Sequence, residues 1–317
     1  MTLVFLGTPD FAVPSLCRLH EAGHEILAVL TQPDRPAGRG QKIQASGVKR
    51  EAMSRGLPVH QPIHLDANVL ETLRRVSPEA VVVVAYGLIL PPALLQLPPL
   101  GCINLHASLL PRYRGAAPIQ WAIARGETET GVTTMLMDAG LDTGPILLQK
   151  TIVISGDDTG GTLEARLAPL GADLLLQTLS RWERGDLGPI PQDDAQATLA
   201  PRIKKEEALI DWSLLAAEIH CRVRAFDPWP VAFVALESGP LRIWKAKVAP
   251  EGGAEATPGR ILGIDRDGLV VACGGQTALI LENVQPAGKA RMTASDFARG
   301  KRLAPGDFLG LPKPRKL

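Results

Sequence analysis

The sequence predicts an α/β domain built on a parallel sheet, followed by a smaller all-β domain. Three observations carry this. Residues 3–6 and 25–31 are apolar, strand-like runs separated by a helical pattern, which is how a βαβ unit opens. Residues 79–85, EAVVVVA, form a near-continuous β-branched run, the mark of a central strand buried on both faces. Beyond Asp227-Pro-Trp-Pro230 only short strands follow, separated by turns.

Residues 3–6 form the first strand. Gly7-Thr8-Pro9-Asp10 turns into a helix with Phe11, Leu16 and Leu19 on its apolar face. Residues 25–31 are the second strand. No G-x-G-x-x-G joins the two, so nothing argues for a dinucleotide. Residues 32–50 contain Pro33, Pro36, Gly38 and Gly40 and are expected mostly as loop. They carry Arg35, Arg39, Lys42, Lys49 and Arg50 against Asp34 alone. Two readings stand: a solvated surface loop, or a basic arm for phosphates. Gly40-Gln41-Lys42 lacks the Gly-Lys-Ser/Thr ending of a Walker A loop, which excludes that motif.

A helix near 48–55, a strand at 57–59 and a helix near 68–75 lead to the central strand. It empties into Tyr86-Gly87-Leu88-Ile89-Leu90-Pro91. This loop reads equally as core packing or as one wall of a flat apolar ligand site beside Leu109 and Leu110. The next strand starts at Cys102-Ile103. If it continues, Asn104 and His106 share one face and Leu105 takes the other. Ser108-Leu109-Leu110-Pro111 and the basic 112–118 loop then lead to a helix over 119–125. Residues 131–137 form a strand ending in Asp138-Ala-Gly-Leu-Asp142-Thr-Gly144. Turn formation accounts for Asp138. Asp142 is the better candidate for a carboxylate beside His106.

Residues 146–154 are an edge-type strand. A helix capped by Thr159 or Thr162 follows, and a second helix over 171–184 carries Leu174, Leu175 and Leu179. Residues 185–200 have no periodicity and read as linker, which divides the chain into 1–184, a linker of 185–206, and 207–317. A helix within 210–226 has Leu215, Ile219, Val223 and Phe226 on one face. Strands at 231–236, 241–248, 259–264, 268–272 and 278–284 suggest a small barrel, OB-like in strand count.

The net charge of +1 excludes a general polycation, so any nucleic-acid contact must come from local patches. From Lys289 onward, eight Lys/Arg face Asp296 and Asp307; this local +6 leaves the rest of the chain at −5. That asymmetry suits an anionic partner or a solvated basic tail. Cys17, Cys102, Cys221 and Cys273 have no zinc spacing and suit a reducing cytosol. No leader precedes the first strand and no apolar run spans a bilayer, so a cytoplasmic protein is expected. No repeats or low-complexity tracts are found.

An Asn amide can donate to a developing oxyanion. A histidine can give or take a proton. A carboxylate can orient that imidazole or a water, or accept a proton from an attacking amine. No serine elbow, metal triad or cysteine nucleophile competes with Asn104, His106 and Asp142. Composition and spacing thus reach an α/β enzyme suited to carbonyl-group chemistry, with an anionic partner.

Resemblance adds to this. Asn104-x-His106-x-Ser108-Leu-Leu-Pro111, followed by Arg114-Gly115 and Pro118-Ile119-Gln120-Trp121, resembles the signature of the folate-dependent formyltransferases, and Leu141-Asp142-Thr143-Gly144 resembles their second block. FLGTPDFAVPSL (5–16), TQPDRPAGRG (31–40), VVVAYGLILP (82–91), RAFDPWP (224–230) and QPAGKARM (285–292) are similar to the methionyl-tRNA formyltransferase family, nearly end to end. The resemblance implies a Rossmann-like catalytic domain and an OB-like tRNA-binding domain. It implies formyl transfer from 10-formyltetrahydrofolate to methionyl initiator tRNA, by a monomer with no metal. Asn104, His106 and Asp142 would be catalytic. Tyr86, Gly87, Leu88 and Ile89 with Ser108, Leu109, Leu110 and Pro111 would hold the folate. Arg39 and Lys42 would meet the acceptor stem, and Lys289, Arg291, Lys301 and Arg302 the tRNA body.

Overall fold

The computed structural model describes residues 1–37, 42–250 and 255–310. The chain forms two compact units: Met1–Pro118, Glu129–Val153 and Glu164–Pro201 make the first, and Ile119–Thr128, Ile154–Leu163 and Arg202–Leu317 the second.

The first unit holds β1 (Thr2–Gly7), β2 (Glu25–Leu30), β3 (Arg35–Ala37), β4 (Lys42–Gln44), β5 (Val59–His60), β6 (Ala80–Val84), β7 (Cys102–His106), β8 (Glu129–Leu136) and β9 (Ile146–Val153). The helices along this part of the chain are α1 (Val13–Glu21), α2 (Gly47–Ser54), α3 (Ala67–Val76), α4 (Pro92–Leu95), α5 (Pro118–Ala124) and α6 (Gly160–Glu183). Among the described residues seven strands form one sheet in the order β5-β2-β1-β6-β7-β8-β9. The β-branched run of β6 is its middle strand and is buried throughout. Chain order reverses between β1 and β6, the position where open α/β sheets place their ligand crevice.

The sheet is mixed rather than wholly parallel. β8 pairs antiparallel with both β7 and β9. The connection from β8 to β9 is too short for a crossover helix, so the two strands form a hairpin. Residues 32–37 and 42–50 also hold more regular structure than the Pro and Gly content of this stretch suggests. β3 and β4 pair antiparallel, and Ser46 caps α2 by accepting the Lys49 N–H.

The two helices expected over 159–184 are one, α6, which runs through Pro169 and Gly171. Gly171 is where this helix meets the sheet: a Cβ there would lie 2.7 Å from a Leu105 methyl. Glycine therefore serves close packing here, not a helix end.

One buried hydroxyl braces the strand that carries the site. Thr133, on β8 opposite His106, donates to the Ser108 carbonyl at 2.6 Å. It accepts the Leu110 N–H at 3.2 Å and the Gln149 amide at 2.9 Å. Thr133→Val keeps the shape and strands these buried partners. It should lower stability by about 2–3 kcal/mol, measured by urea unfolding with an unchanged m-value.

The second unit adds α7 (Ala216–Ala225), β10 (Phe233–Leu236), β11 (Gly239–Val248), β12 (Ile261–Ile264), β13 (Leu269–Ala272), β14 (Ala278–Gln285), β15 (Met292–Thr293) and α8 (Ala294–Lys301). Its strands form an antiparallel half-barrel in the order β10-β11-β14-β13-β12, with β15 on β14. Ile219 and Val223 of α7 enter a core with Leu241, Ile243, Leu279 and Leu281. Leu215 stays half exposed, because it occupies the N-cap position rather than the helix face.

Candidate active site

Asn104 and His106 lie on β7 with Leu105 between them, so period-two alternation turns both to one face. Both are buried, at 7% and 6% exposure. Asn104 sits mid-strand, between Val83 and Met135. Among the described residues its side-chain amide makes no hydrogen bond, whereas His106, Ser108 and Thr133 are all engaged. His106 is oriented by the chain just beyond it. Its Nε2 lies 2.9 Å from the Tyr113 carbonyl. A carbonyl oxygen only accepts, so Nε2 carries the proton and Nδ1 is left for chemistry.

Nδ1 faces Asp142 Oδ2 at 3.7 Å. That separation is too long for a direct hydrogen bond. β8 ends beside Ile103, at the far end of β7 from His106, yet its following loop returns the carboxylate to His106. The group is therefore gathered over one face of the sheet and not along a single edge. Asp142 adopts φ of 54°, and Oδ2 accepts the Gly115 N–H at 2.8 Å. Gly115 itself needs glycine: its φ is 120°, and a Cβ would stand 2.7 Å from the Ala200 carbonyl.

The stretch expected as linker takes part in this arrangement. Arg114 N donates to the Thr198 carbonyl at 2.8 Å, Ala200 N to the Arg114 carbonyl at 2.7 Å, and Tyr113 N to Thr198 Oγ1 at 2.9 Å. Gln192 from the same stretch bonds the Arg114 side chain and the Asp142 loop. Nothing in the spacing of residues 185–200 marks Gln192, because its partners lie about fifty residues or more away.

The expected folate residues divide. The Tyr86 side chain is buried in an apolar cluster with Leu6, Leu30, Leu90 and Leu94. Its hydroxyl is buried without a partner among the described residues, and burial pushes its pKa up to about 12. Its carbonyl accepts from Thr8 at 2.9 Å, which ties the ends of β1 and β6 together. Gly87 adopts φ of 88°, Leu88 is half-buried, and Ile89 is 92% exposed. Leu110 packs on Met135 and Ile146, and Leu109 is half-buried. Ser108 donates to the Arg112 carbonyl at 2.6 Å, and the Leu110–Pro111 peptide is cis.

Of the expected tRNA contacts, Arg39 lies outside the described residues and Lys42 opens β4. Lys289, Lys301 and Arg302 are exposed. Arg291 is exposed too, and its guanidinium stacks on the Trp244 ring, 3.3 Å from the centroid. It therefore presents a cation–aromatic pair rather than a lone charge. Burial pushes the thiols of Cys102 and Cys273 up to about 12, which leaves them unreactive. Among the described residues no cluster of His, Cys, Asp or Glu could hold a metal ion, and no helix is long and apolar enough to cross a membrane.

Residues 1–179 match the formyl transferase family, and residues 202–302 match the formyl transferase C-terminal domain. A methionyl-tRNA formyltransferase from Trichlorobacter lovleyi is 48% identical over 97% of this chain and 96% of its own length. That of Solibacter usitatus is 51% identical over 98% of this chain and 99% of its own. The chain belongs to the methionyl-tRNA formyltransferase family. Solved structures share the fold at low identity. Methionyl-tRNA formyltransferase from Clostridium thermocellum is 17% identical with a TM-score of 0.55, over 78% of this chain and 93% of that one. HypX from Aquifex aeolicus in complex with tetrahydrofolic acid is 17% identical with a TM-score of 0.64, over 99% of this chain and 50% of that one.

Proposed function

We propose that this formyltransferase moves the formyl group of 10-formyltetrahydrofolate to the α-amino group of methionyl initiator tRNA, for translation initiation. The observation that carries the reading is the meeting of an unpaired Asn104 amide, an oriented His106 and Asp142, in a chain about half identical to curated methionyl-tRNA formyltransferases along its length. The family's use of folate, and the tetrahydrofolate bound by a fold neighbour, support the donor.

In this reading the amine nitrogen attacks the formyl carbon, the bond from that carbon to N10 breaks, and one amine proton ends on N10. The Asn104 amide N–H donates to the formyl oxygen as negative charge develops there, an interaction that strengthens toward the transition state. His106 Nδ1 takes up the amine proton, with the help of Asp142, and passes it to departing N10. Asp142 orients His106 and water and helps draw the proton from the amine. The folate lies against 86–91 and 108–111, with Gly87 and the side chain of Ile89 exposed to it. Arg39 and Lys42 serve the acceptor stem. Lys289, Arg291, Lys301 and Arg302 serve the tRNA backbone more than its bases. The protein works as a cytoplasmic monomer.

An acceptor that is a small amine, or folate hydrolysis, would use the same three residues, but leaves the basic 32–50 stretch and the basic carboxyl-terminal region without a role. One assay separates these. Tetrahydrofolate release from 10-formyltetrahydrofolate should require charged initiator tRNA, with the label recovered on the methionyl amine. Equal release without tRNA would overturn the proposal.

A further inference from the structure

We propose that Gln192 is a positioning residue for Asp142; its part in turnover rests on the function proposed above. Asp142 lies in the left-handed region at φ of 54°, a conformation uncommon for a non-glycine residue, though aspartate adopts it more readily than most. Its carboxylate is fixed at one point by the Gly115 N–H. Its main chain is fixed by Gln192, whose Nε2 donates to the Asp142 carbonyl at 2.8 Å and to the Gly144 carbonyl at 2.7 Å. The two amide hydrogens thus span the turn that aims the carboxylate.

The Gln192 amide can face only one way. Arg114 donates Nε at 3.0 Å and Nη2 at 2.9 Å to Gln192 Oε1. A guanidinium has no acceptor, so the amide oxygen must face it and the nitrogen must face the loop carbonyls. Arg114 is itself buried at 6% exposure and pairs with Asp194 at 2.8 Å. A buried cation thereby orients an amide, and that amide orients the Asp142 loop. Arg114 is thus a structural anchor and not a phosphate ligand. Gly144 completes the turn. A Cβ there would lie 1.8 Å from the Leu136 carbonyl, so the loop hugs the end of β8 as Gln192 reaches it.

The test pairs Gln192→Glu with Gln192→Leu. A glutamate keeps an acceptor for Arg114 but has no N–H for the two carbonyls. In Gln192→Glu, hydrogen exchange of the Gly115 amide, which is bonded to Asp142, should accelerate about tenfold or more. The Arg114 amide, bonded to Thr198, and the amides of β7 should exchange as in the unsubstituted protein. Formylation kcat should fall about 10- to 100-fold, as small displacements of a catalytic group do. KM for both substrates should stay within about twofold. Gln192→Leu should accelerate Gly115 in the same way, and it carries the test if the glutamate variant does not fold. Unchanged Gly115 exchange, equal acceleration at all these amides, or a kcat within twofold of the unsubstituted protein would overturn the assignment. The exchange measurement needs no substrate. A protein that fails to formylate methionyl-tRNA would therefore count against the proposed function and leave the Gln192 result to stand by itself.

Discussion

Asn104→Ala should lose formyl transfer by on the order of 100-fold or more in kcat and keep its folded state. The size follows from what the amide does in the resting protein. It is 7% exposed and makes no hydrogen bond among the described residues, so it contributes little to holding β7 in place. The strand is held instead by its ladders to β6 and β8, and by Leu105 against Gly171. In the proposed function, removing the amide costs the transition state a donor in a site largely shielded from water. There, such a donor is worth far more than in bulk solvent. KM should change little, because the ground-state formyl oxygen carries less charge than the oxyanion. Thermal unfolding and steady-state kinetics on one preparation check this. Turnover close to that of the unsubstituted protein would remove Asn104 from the reaction.

Arg39→Ala should cut formylation severely at every salt concentration, whereas neutralising Lys289, Lys301 and Arg302 together should not. Arg39 lies between Gly38 and Gly40 in a stretch whose flanks are pinned. Lys49 bonds Asp34 at 2.7 Å and Gln61 at 2.7 Å, and Gln61 bonds the Gln32 carbonyl at 2.9 Å. An arginine that places the aminoacylated end acts on the geometry of the reacting atoms, where small errors damage rate. The distal cations are exposed, and two of them close α8. In the proposed function their contribution is phosphate attraction, which salt weakens. The distal variant should bind tRNA more weakly, with a flatter salt dependence, and keep its turnover at saturating tRNA. Kinetics of both variants across salt decide it. A silent Arg39→Ala together with lost turnover in the distal variant would reverse the assignment.

Local chemistry was legible in the sequence where local rules applied. Strand alternation is enough to put Asn104 and His106 on one face. The β-branched run of β6 identifies the middle of the sheet without any structural knowledge. What was not legible depends on groups far apart in the chain. A Pro and a Gly within three positions suggest a helix end near residue 170, yet α6 continues, because Gly171 is needed for contact with Leu105. Proline and glycine density hides the short β3–β4 hairpin. Residues 185–200 have no period because their bonds go to the Tyr113–Arg114 turn and the Asp142 loop rather than to one another. The approach of Asp142 to His106 was expected from residue type. The antiparallel course of β8 and the returning loop that bring it about were not.

We propose that formyl transfer occurs over β7, between Asn104, His106 and Asp142. A crystal structure with an unreactive formylfolate analogue and a methionyl-tRNA end tests it most directly. The formyl oxygen should lie within hydrogen-bond distance of the Asn104 amide nitrogen. The amine should lie on the side of Asp142 and His106 Nδ1, and the folate along 86–91 and 108–111. A fully bound folate elsewhere, with this face of β7 empty, would contradict it.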